Sequence, residues 1–406
     1  MSGSKASGIV LVHVDQVPSQ DFRIFVEEAC YASNLHEIFV DEAHTILRDS
    51  EYRPSLAFLA EFLQARLHIR LILLSATFSP QMKVDIEKKL NRTLSVIRSS
   101  SDRPNLVYSV KNLKDRKDSF CKEVKSIVTG YSASSRMIIY CHSKDLVDET
   151  VALLSSFGVE SRSYHAGKTL DDERAANLRD WEEGVKIIVA TTALSCGIDF
   201  PGVRHVLILG FAYSFVDVAQ MFGRAGRDGK RSECVFVVTE DLLAMAEKLA
   251  SFRKVGTPGR LELEEMIAFL KKPTCVREKL TGYLDPTPSR CFESPSQAPC
   301  SVCIPTQDQS LISLLGFVSN PSKPAATPQI LGNSDINLDI QGTLASLYLQ
   351  IEANGLVSSN LQSKSLGDPQ QVQQSFGGFD DICKSSRLTF FLLIRRSTTS
   401  SFSPAF

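Results

Sequence analysis

The chain has 406 residues, enough for two or three domains, and 43% of them are hydrophobic, which supports packed cores. Its formal net charge is −1, so affinity for nucleic acid must come from local patches rather than from the field of the whole chain. Ten cysteines in a chain of this length, after the polar start Met1–Ser7, argue against a secreted disulfide framework. The most apolar late run, Leu388–Ile394, is far too short to cross a bilayer. We therefore expect reduced, buried or metal-bound cysteines and no membrane partner.

The first hundred residues alternate strand and helix patterns. Strands are predicted at 8–12, 37–40 and 71–74, and helices at 22–31, at 55–68 and from residue 80 onwards. Two adjacent carboxylates, Asp41 and Glu42, follow the second strand. Ligands of open α/β sheets bind at the carboxyl ends of strands, where one carboxylate can hold Mg²⁺ and its neighbour can orient or deprotonate a water. An acidic strand end at a solvated turn is the alternative.

Small hydroxyl residues, Ser75 and Thr77, follow the third strand. They can form hydrogen bonds across a cleft, or they can cap the helix that follows, and taken alone the tripeptide favours the cap. Residues 91–110 look like a crossing segment, with a turn at Arg103-Pro104-Asn105.

A second α/β pattern follows, with strands at 136–140, up to 164, at 187–189 and at 206–209. Gly167-Lys168-Thr169 imitates the end of a phosphate-binding P-loop, but the glycine that this motif requires five residues earlier is Arg162. We reject a P-loop here, and no other stretch of the chain supplies one. Alternation of strands and helices across 8–240 predicts two parallel-sheet α/β domains.

Glycines flank two arginines, Arg224 and Arg227, in the run Gly223–Gly229. Glycine lets the backbone approach a phosphate closely, and each guanidinium can grip two oxygens. A solvated basic turn is the alternative.

Four cysteines lie close together in the sequence after two further predicted helices: Cys275, Cys291, Cys300 and Cys303. Two residues between Cys300 and Cys303 let both thiolates reach one tetrahedral ion, so a structural Zn²⁺ site is plausible. Unrelated free cysteines in a Ser/Pro-rich loop are the alternative. From about residue 304 polar residues dominate and periodicity fades, which predicts a mostly disordered tail with one amphipathic stretch at 336–351.

The order of these motifs resembles superfamily 2 helicases and, within them, the RecQ-like DNA helicases. The resemblance is carried by Asp41-Glu42-Ala43-His44, Ser75-Ala76-Thr77, Tyr140-Cys141-His142-Ser143, Tyr164-His165-Ala166-Gly167, Val189-Ala190-Thr191 with Gly197-Ile198-Asp199, Gln220 through Gly229, and the four cysteines with Arg277 and Asp285 between them.

The resemblance implies tandem RecA-like parallel-sheet domains, the first of them incomplete, then a small helical zinc-binding subdomain and a disordered tail. The corresponding ranges are a partial ATP-binding domain at 1–103, a second RecA-like domain at 104–257, a zinc-binding subdomain at 258–304 and the tail at 305–406. The expected activity is that of an ATP-dependent 3′–5′ DNA helicase, with ATP, Mg²⁺ and Zn²⁺ as cofactors. Single-stranded DNA and duplex junctions are the implied partners, and the nucleus is the implied compartment.

The resemblance also implies roles for individual residues. Asp41 would bind Mg²⁺, Glu42 would activate water, and His44 completes the catalytic motif. The residues implied at the nucleotide are Gln220, Arg224, Arg227, Gly197, Asp199, Ser75 and Thr77, with Arg227 as the arginine finger. The residues implied at the nucleic acid are Thr191, Thr192, His165 and Arg53.

The chain departs from the family in two places. It has no Walker A lysine and no upstream adenine-reading motif, so we expect an N-terminally truncated first domain and impaired hydrolysis. The loop after Asp41–His44 keeps Tyr52-Arg53-Pro54 but lacks most of the family's aromatic residues. Two alternatives remain: a non-catalytic, helicase-derived protein that binds DNA or a protein partner, and a degenerate copy that folds badly because half a parallel sheet leaves an open edge.

Overall fold

The computed structural model describes residues 7–50, 53–166, 171–195, 200, 202–293, 297–304, 329–331 and 389–395. The chain divides into two compact units. The first comprises 1–75, 81–99 and 326–406, and the second comprises 76–80 and 100–325. Across the described ranges, no helix has both the length and the apolar character needed to cross a membrane.

The first unit follows the predicted alternation of strands and helices. Its elements up to residue 99 are β1 (Ser7–His13), α1 (Gln20–Tyr31), β2 (Leu35–Val40), α2 (Thr45–Arg48), α3 (Pro54–Gln64), β3 (Arg70–Leu73), α4 (Pro80–Leu90, grouped with this unit from residue 81) and β4 (Val96–Arg98). The three predicted strands and the helices between them are confirmed, although α3 ends four residues before the predicted His68.

The second unit is built on a six-stranded sheet. Its elements are β5 (Leu106–Asn112), α5 (Asp118–Thr129), β6 (Arg136–Cys141), α6 (Lys144–Ser156), β7 (Ser161–Tyr164), α7 (Asp171–Glu183), β8 (Ile187–Ala190), β9 (Val203–Leu209), α8 (Phe215–Phe222), β10 (Ser232–Val238), α9 (Glu240–Phe252), α10 (Pro258–Lys271) and α11 (Val276–Leu284). The strand order is β5–β10–β9–β6–β8–β7, and every neighbouring pair is parallel. The predicted parallel α/β architecture is confirmed.

Two more strands come from the predicted tail. β11 (Gln329–Leu331) pairs antiparallel with β4, and β12 (Thr389–Arg395) lies between β1 and β2, antiparallel to both. The sheet of the first unit therefore has the order β1–β12–β2–β3. The prediction of a mostly disordered tail differs from the structure at these two strands. The amphipathic stretch 336–351 lies outside the described residues.

The position of β12 explains why an apolar run stands so late in the chain. Leu392, at the middle of β12, is fully buried and pairs with Val10 of β1 and Ile38 of β2. A strand between two others has both edges hydrogen-bonded, and a sheet covered on its faces requires apolar residues throughout. β12 thus covers the facing edges of β1 and β2.

Local sequence signals account for the helices of the second unit. The Ser143 hydroxyl caps α6 by accepting a hydrogen bond from the Leu146 N–H at 3.2 Å. Gly158 follows that helix at φ +72°, a conformation that favours glycine. β6 is buried along its whole length, as a central strand between β9 and β8 must be.

Helix α10, which follows α9, packs directly on this sheet. Phe269 of α10 contacts Phe215 of α8 and Phe236 of β10, with ring centroids 5.4 and 5.8 Å apart. Cys291 and Cys300 belong to the same buried cluster as these rings. The cysteines are therefore part of the core of the second unit.

We predict that Leu392→Asp unfolds the sheet of the first unit, because a carboxylate cannot be accommodated unpaired at a buried position. Hydrogen exchange of the β1 and β2 amides should rise at least tenfold. The fluorescence of Trp181, the only tryptophan, which is buried in the second unit, should keep its urea midpoint. Leu67→Asp, at a 54% exposed position of the first unit, is the matched control. Unchanged β2 protection in Leu392→Asp would contradict the observed strand order.

Candidate functional site

The predicted carboxylates stand at the end of β2, where the backbone is strained. Glu42 has φ +47°, in the left-handed region that side chains other than glycine rarely adopt. Strain of this kind is held by the surrounding structure and is common at functional sites. Here the Ala43 N–H donates to Leu74 O at 2.9 Å, and the Thr45 hydroxyl donates to Glu42 O at 2.8 Å. These two bonds fix the turn on the carboxyl side of Glu42.

His44 joins the carboxylate turn to the hydroxyl motif. Its Nδ1 lies 3.0 Å from Ser75 Oγ and 3.2 Å from Glu42 Oε2, and its side chain is almost completely buried. The structure thus brings together three residues that the sequence places at two separate strand ends. The reason is that β2 and β3 are parallel neighbours, so their carboxyl ends meet at one edge.

Asp41 is the outermost residue of this cluster. Its Oδ1 accepts the Glu42 N–H at 2.9 Å. Desolvation at the strand end is the largest influence on its pKa and raises it above the ordinary value, although the bond from Glu42 N–H acts in the opposite direction. Asp41 could hold Mg²⁺ through a carboxylate oxygen, and a cation there would favour the ionised form.

The residues predicted to contact nucleic acid are divided between the two units. Arg53 makes a two-pronged pair with Asp15 in the first unit, with Nη2–Oδ2 at 2.9 Å and Nε–Oδ1 at 3.3 Å. His165 and Thr191 follow the neighbouring strands β7 and β8 in the second unit, and the Thr191 N–H donates to Tyr164 O at 3.2 Å.

The residues that follow β7 and β8 differ in exposure. Thr192 is exposed, whereas His165 is buried and its Nε2 lies 3.0 Å from Asp148 Oδ1. The predicted residues Gly197 and Asp199 lie outside the described residues, as do Gly167 and Tyr52.

The arginine loop, residues 223–230, follows α8. Arg224 is half-buried, and Arg227 is exposed with its Nε 3.4 Å from Gly223 O. Gln220, one turn earlier in α8, donates from Nε2 to Thr77 Oγ1 at 3.5 Å, within the second unit. The loop therefore presents two guanidinium groups from a short, glycine-bounded turn.

Gly226 has no room for a side chain. Its φ is +53°, and a Cβ there would come within 2.6 Å of Asn105 Nδ2 and of Lys230 O. The Gly226 N–H donates to Val203 O at 3.0 Å, and Gly226 O accepts from Arg103 Nη2 at 2.8 Å and Asn105 Nδ2 at 2.9 Å. Sequence reasoning missed Arg103 and Asn105, whose run was predicted only to be a turn.

The four predicted cysteines meet in space. Their Sγ atoms all lie within 4.8 Å of one another, and Cys275 Sγ is 3.6 Å from Cys291 Sγ. Cys275 also caps α11, because its Sγ accepts the Glu278 N–H at 3.5 Å. Hydrogen bonds from the Cys275 and Cys291 thiols lower the pKa of Cys300 and favour its thiolate, the form that binds metals. The group could hold one metal ion.

Known proteins similar to this chain are helicases. A family described as Helicase conserved C-terminal domain matches residues 118–229, from α5 into the arginine loop. The ATP-dependent helicase wrn-1 of Caenorhabditis elegans is 32% identical over 257 residues, covering 61% of this chain and 24% of that protein. The ATP-dependent DNA helicase Q5 of Mus musculus is 26% identical over 321 residues, covering 73% of this chain and 32% of that protein.

These matches define the second unit as the carrier of a helicase C-terminal domain. They confirm the predicted resemblance of the chain to RecQ-like helicases of superfamily 2. It spans 24% and 32% of the length of the two relatives named. The solved structure of S. cerevisiae Dbp5 bound to RNA and ADP BeF3 aligns with a TM-score of 0.42 at 20% identity, over 58% of this chain and 63% of that one, too distant to bear on function.

We predict that Gly226→Ala destabilises the second unit more than Gly229→Ala. Both glycines have positive φ, but a Cβ at Gly229 meets no atom within 4 Å. Gly229→Ala should therefore cost about 1 kcal/mol of unfolding free energy from backbone strain, and Gly226→Ala about 1–3 kcal/mol more from overpacking. Urea titrations that follow Trp181 fluorescence measure both. Equal costs would contradict the close approach seen at Gly226.

Proposed function

We propose that this chain carries catalytic and DNA-handling parts of an ATP-dependent 3′–5′ DNA helicase of RecQ type. The observation that carries the proposal is the strained Glu42 turn, where His44 Nδ1 is hydrogen-bonded to the Ser75 hydroxyl and lies 3.2 Å from Glu42 Oε2. A carboxylate fixed at a parallel strand end can take a proton from an attacking water. The His44 contact links its position to the hydroxyl motif.

The roles of the other residues follow from their chemistry. Asp41 offers the hard oxygen ligand that Mg²⁺ prefers, and bound MgATP supplies the phosphoryl group that is transferred. Arg224 and Arg227 offer guanidinium forks for negative charge on phosphate. Gln220 stands one helical turn from this loop and would respond to its position.

Contacts to DNA are proposed for the loops after β7 and β8. The exposed hydroxyl of Thr192 and the half-buried Thr191 can donate to phosphate oxygens. His165, buried against Asp148, would act by holding its loop in place. Arg53 would reach phosphate only by leaving Asp15. Single-stranded DNA and duplex junctions are the proposed partners, and the nucleus is the proposed compartment.

Hydrolysis by this chain alone should be slow. The 406 residues contain no GxxxxGK[ST] sequence, so the β- and γ-phosphates lack the lysine and backbone cradle that normally hold them. The same fact supports the alternative of a non-catalytic, helicase-derived protein that binds DNA or a protein partner.

We expect a weak ATPase rate that single-stranded DNA stimulates. Glu42→Gln should reduce this rate to background, because it removes the base at unchanged side-chain size. Glu61→Gln, at an exposed position of α3, is the matched control and should keep the wild-type rate.

Two outcomes separate the candidate functions. DNA binding with identical background hydrolysis in all three proteins would favour the non-catalytic alternative. Failure of the wild-type chain to bind single-stranded DNA at low salt would overturn the helicase proposal and leave, of the alternative, only a protein that binds a protein partner.

We also propose that the four cysteines hold a structural Zn²⁺ ion. Tetrahedral Zn²⁺ with Zn–S bonds of about 2.3 Å requires sulfur atoms about 3.8 Å apart. The 3.6 Å between Cys275 and Cys291 and the 4.8 Å limit for the group fit this arrangement. Four protein sulfurs leave no open position, so a catalytic zinc is not proposed.

Metal analysis of the purified chain should find about one zinc per molecule. Cys300→Ser should lose it, because Cys300 lies fully buried at the centre of the group. Cys30→Ser, in α1 of the first unit, is the matched control and should retain the metal. Wild-type protein without zinc, or Cys300→Ser with an undiminished content, would contradict the proposal.

A further inference from the structure

The connecting segment, residues 100–106, is held from two sides within the second unit. It precedes β5 and lies against the cysteine-bearing helix α11 on one side and against the arginine loop on the other. Neither contact was predicted, because the partners are separated by more than a hundred residues in sequence.

The side toward the cysteines is anchored at both ends of α11. Arg277, two residues after Cys275, is fully buried; its Nη1 pairs with Asp102 and its Nη2 donates to Leu106 O at 2.8 Å. At the other end of α11, Asp285 Oδ2 accepts the Ser101 N–H at 2.8 Å and the Ser101 hydroxyl at 2.9 Å. Movement of α11 would therefore displace the connecting segment.

The side toward the arginine loop is made by two residues of the same segment. Arg103 Nη2 donates to Ala225 O at 3.1 Å and to Gly226 O at 2.8 Å. Asn105 Nδ2 donates to Gly226 O at 2.9 Å and to Lys230 O at 3.0 Å. The carbonyls of Ala225 and Gly226 lie between Arg224 and Arg227, and that of Lys230 follows them, so the bonds fix the backbone that carries both guanidinium groups.

Arg103 connects the two sides directly. Its carbonyl accepts from Arg277 Nη1 at 3.2 Å while its guanidinium holds the loop. A second route is parallel to it: the N–H of Ser301, between two of the cysteines, donates to Tyr108 O at 3.0 Å. The Tyr108 ring in turn contacts Phe222, the last residue before the loop, at 5.9 Å between centroids.

We propose that the connecting segment transmits the state of the four-cysteine cluster to the arginine loop, with Arg103 and Asn105 as positioning residues for Arg224 and Arg227. An intact cluster fixes the position of α11, and α11 fixes the connecting segment. The connecting segment in turn keeps the arginine loop in one conformation. Disruption of the cluster releases the loop. That the arginine loop matters for ATP hydrolysis rests on the proposed function. The conformational order of the loop can be measured without ATP.

Hydrogen exchange of the loop amides in the full-length chain tests the proposal. The amides of Arg224, Ala225, Gly226 and Gly229 are all hydrogen-bonded, so their exchange reports loop opening. Arg103→Met should raise their exchange about tenfold and leave the β6 amides unchanged. Arg103→Lys, which keeps a donor for Gly226 O, should restore at least half of the lost protection. Arg260→Met, which breaks only the Arg260–Glu264 pair on α10 and the bond to Arg253 O, is the matched control.

A double-mutant comparison tests the transmission itself. Cys300→Ser should also raise loop exchange about tenfold, and adding it to Arg103→Met should raise exchange less than twofold further, because the connection is already broken. Cys303→Ser, at the outer side of the cluster, provides the same measurement if Cys300→Ser fails to fold. Loop exchange unchanged by either cysteine variant, or raised equally with and without Arg103, would overturn the proposal.

Discussion

The contacts of one buried side chain, the guanidinium of Arg277, hold together the cysteine-bearing helix α11 and the segment that fixes the arginine loop. A charge taken out of water is costly unless it is paired and fully hydrogen-bonded. Asp102 supplies the opposite charge, the carbonyls of Arg103 and Leu106 accept further bonds, and the Tyr108 ring lies 5.1 Å away. These four partners belong to residues 102–108, and Arg277 Nη2 also donates to Ala298 O at 3.4 Å. Pairing one buried charge therefore joins the cysteine helix to the segment that holds the arginine loop.

The first unit depends on a different constraint, the pairing of strand edges. β1 and β2 run in the same direction but are not neighbours, and β12 from the far end of the chain lies between them. Its antiparallel direction satisfies the N–H and C=O groups of both facing edges. The alternative of a badly folded copy rested on an open edge of a half sheet; β12 covers the facing edges of β1 and β2, and β1 and β3 are the outer strands of the four.

Both units place the side chains proposed to be functional where parallel strands end. In the first unit this edge carries Glu42 and Ser75, both in contact with His44. In the second it carries His165 and Thr191, after the neighbouring strands β7 and β8. The arrangement follows from topology, because parallel neighbours end at a common edge whatever their separation in sequence. The positive φ of Glu42 adds a local feature that no sequence pattern indicates.

The sequence by itself determined the strands and helices with strong periodicity, the acidic, hydroxyl and arginine motifs, and the four cysteines, because each depends on residues that are close in the chain. The predicted RecQ-like resemblance followed from their order. Only the tertiary structure decided that Arg103 and Asn105 hold the arginine loop, that Arg277 is buried against Asp102, and that β12 completes the first sheet. These contacts join residues more than a hundred positions apart, and neither periodicity nor spacing encodes such pairs; complementary charge, edge hydrogen bonding and packing select them.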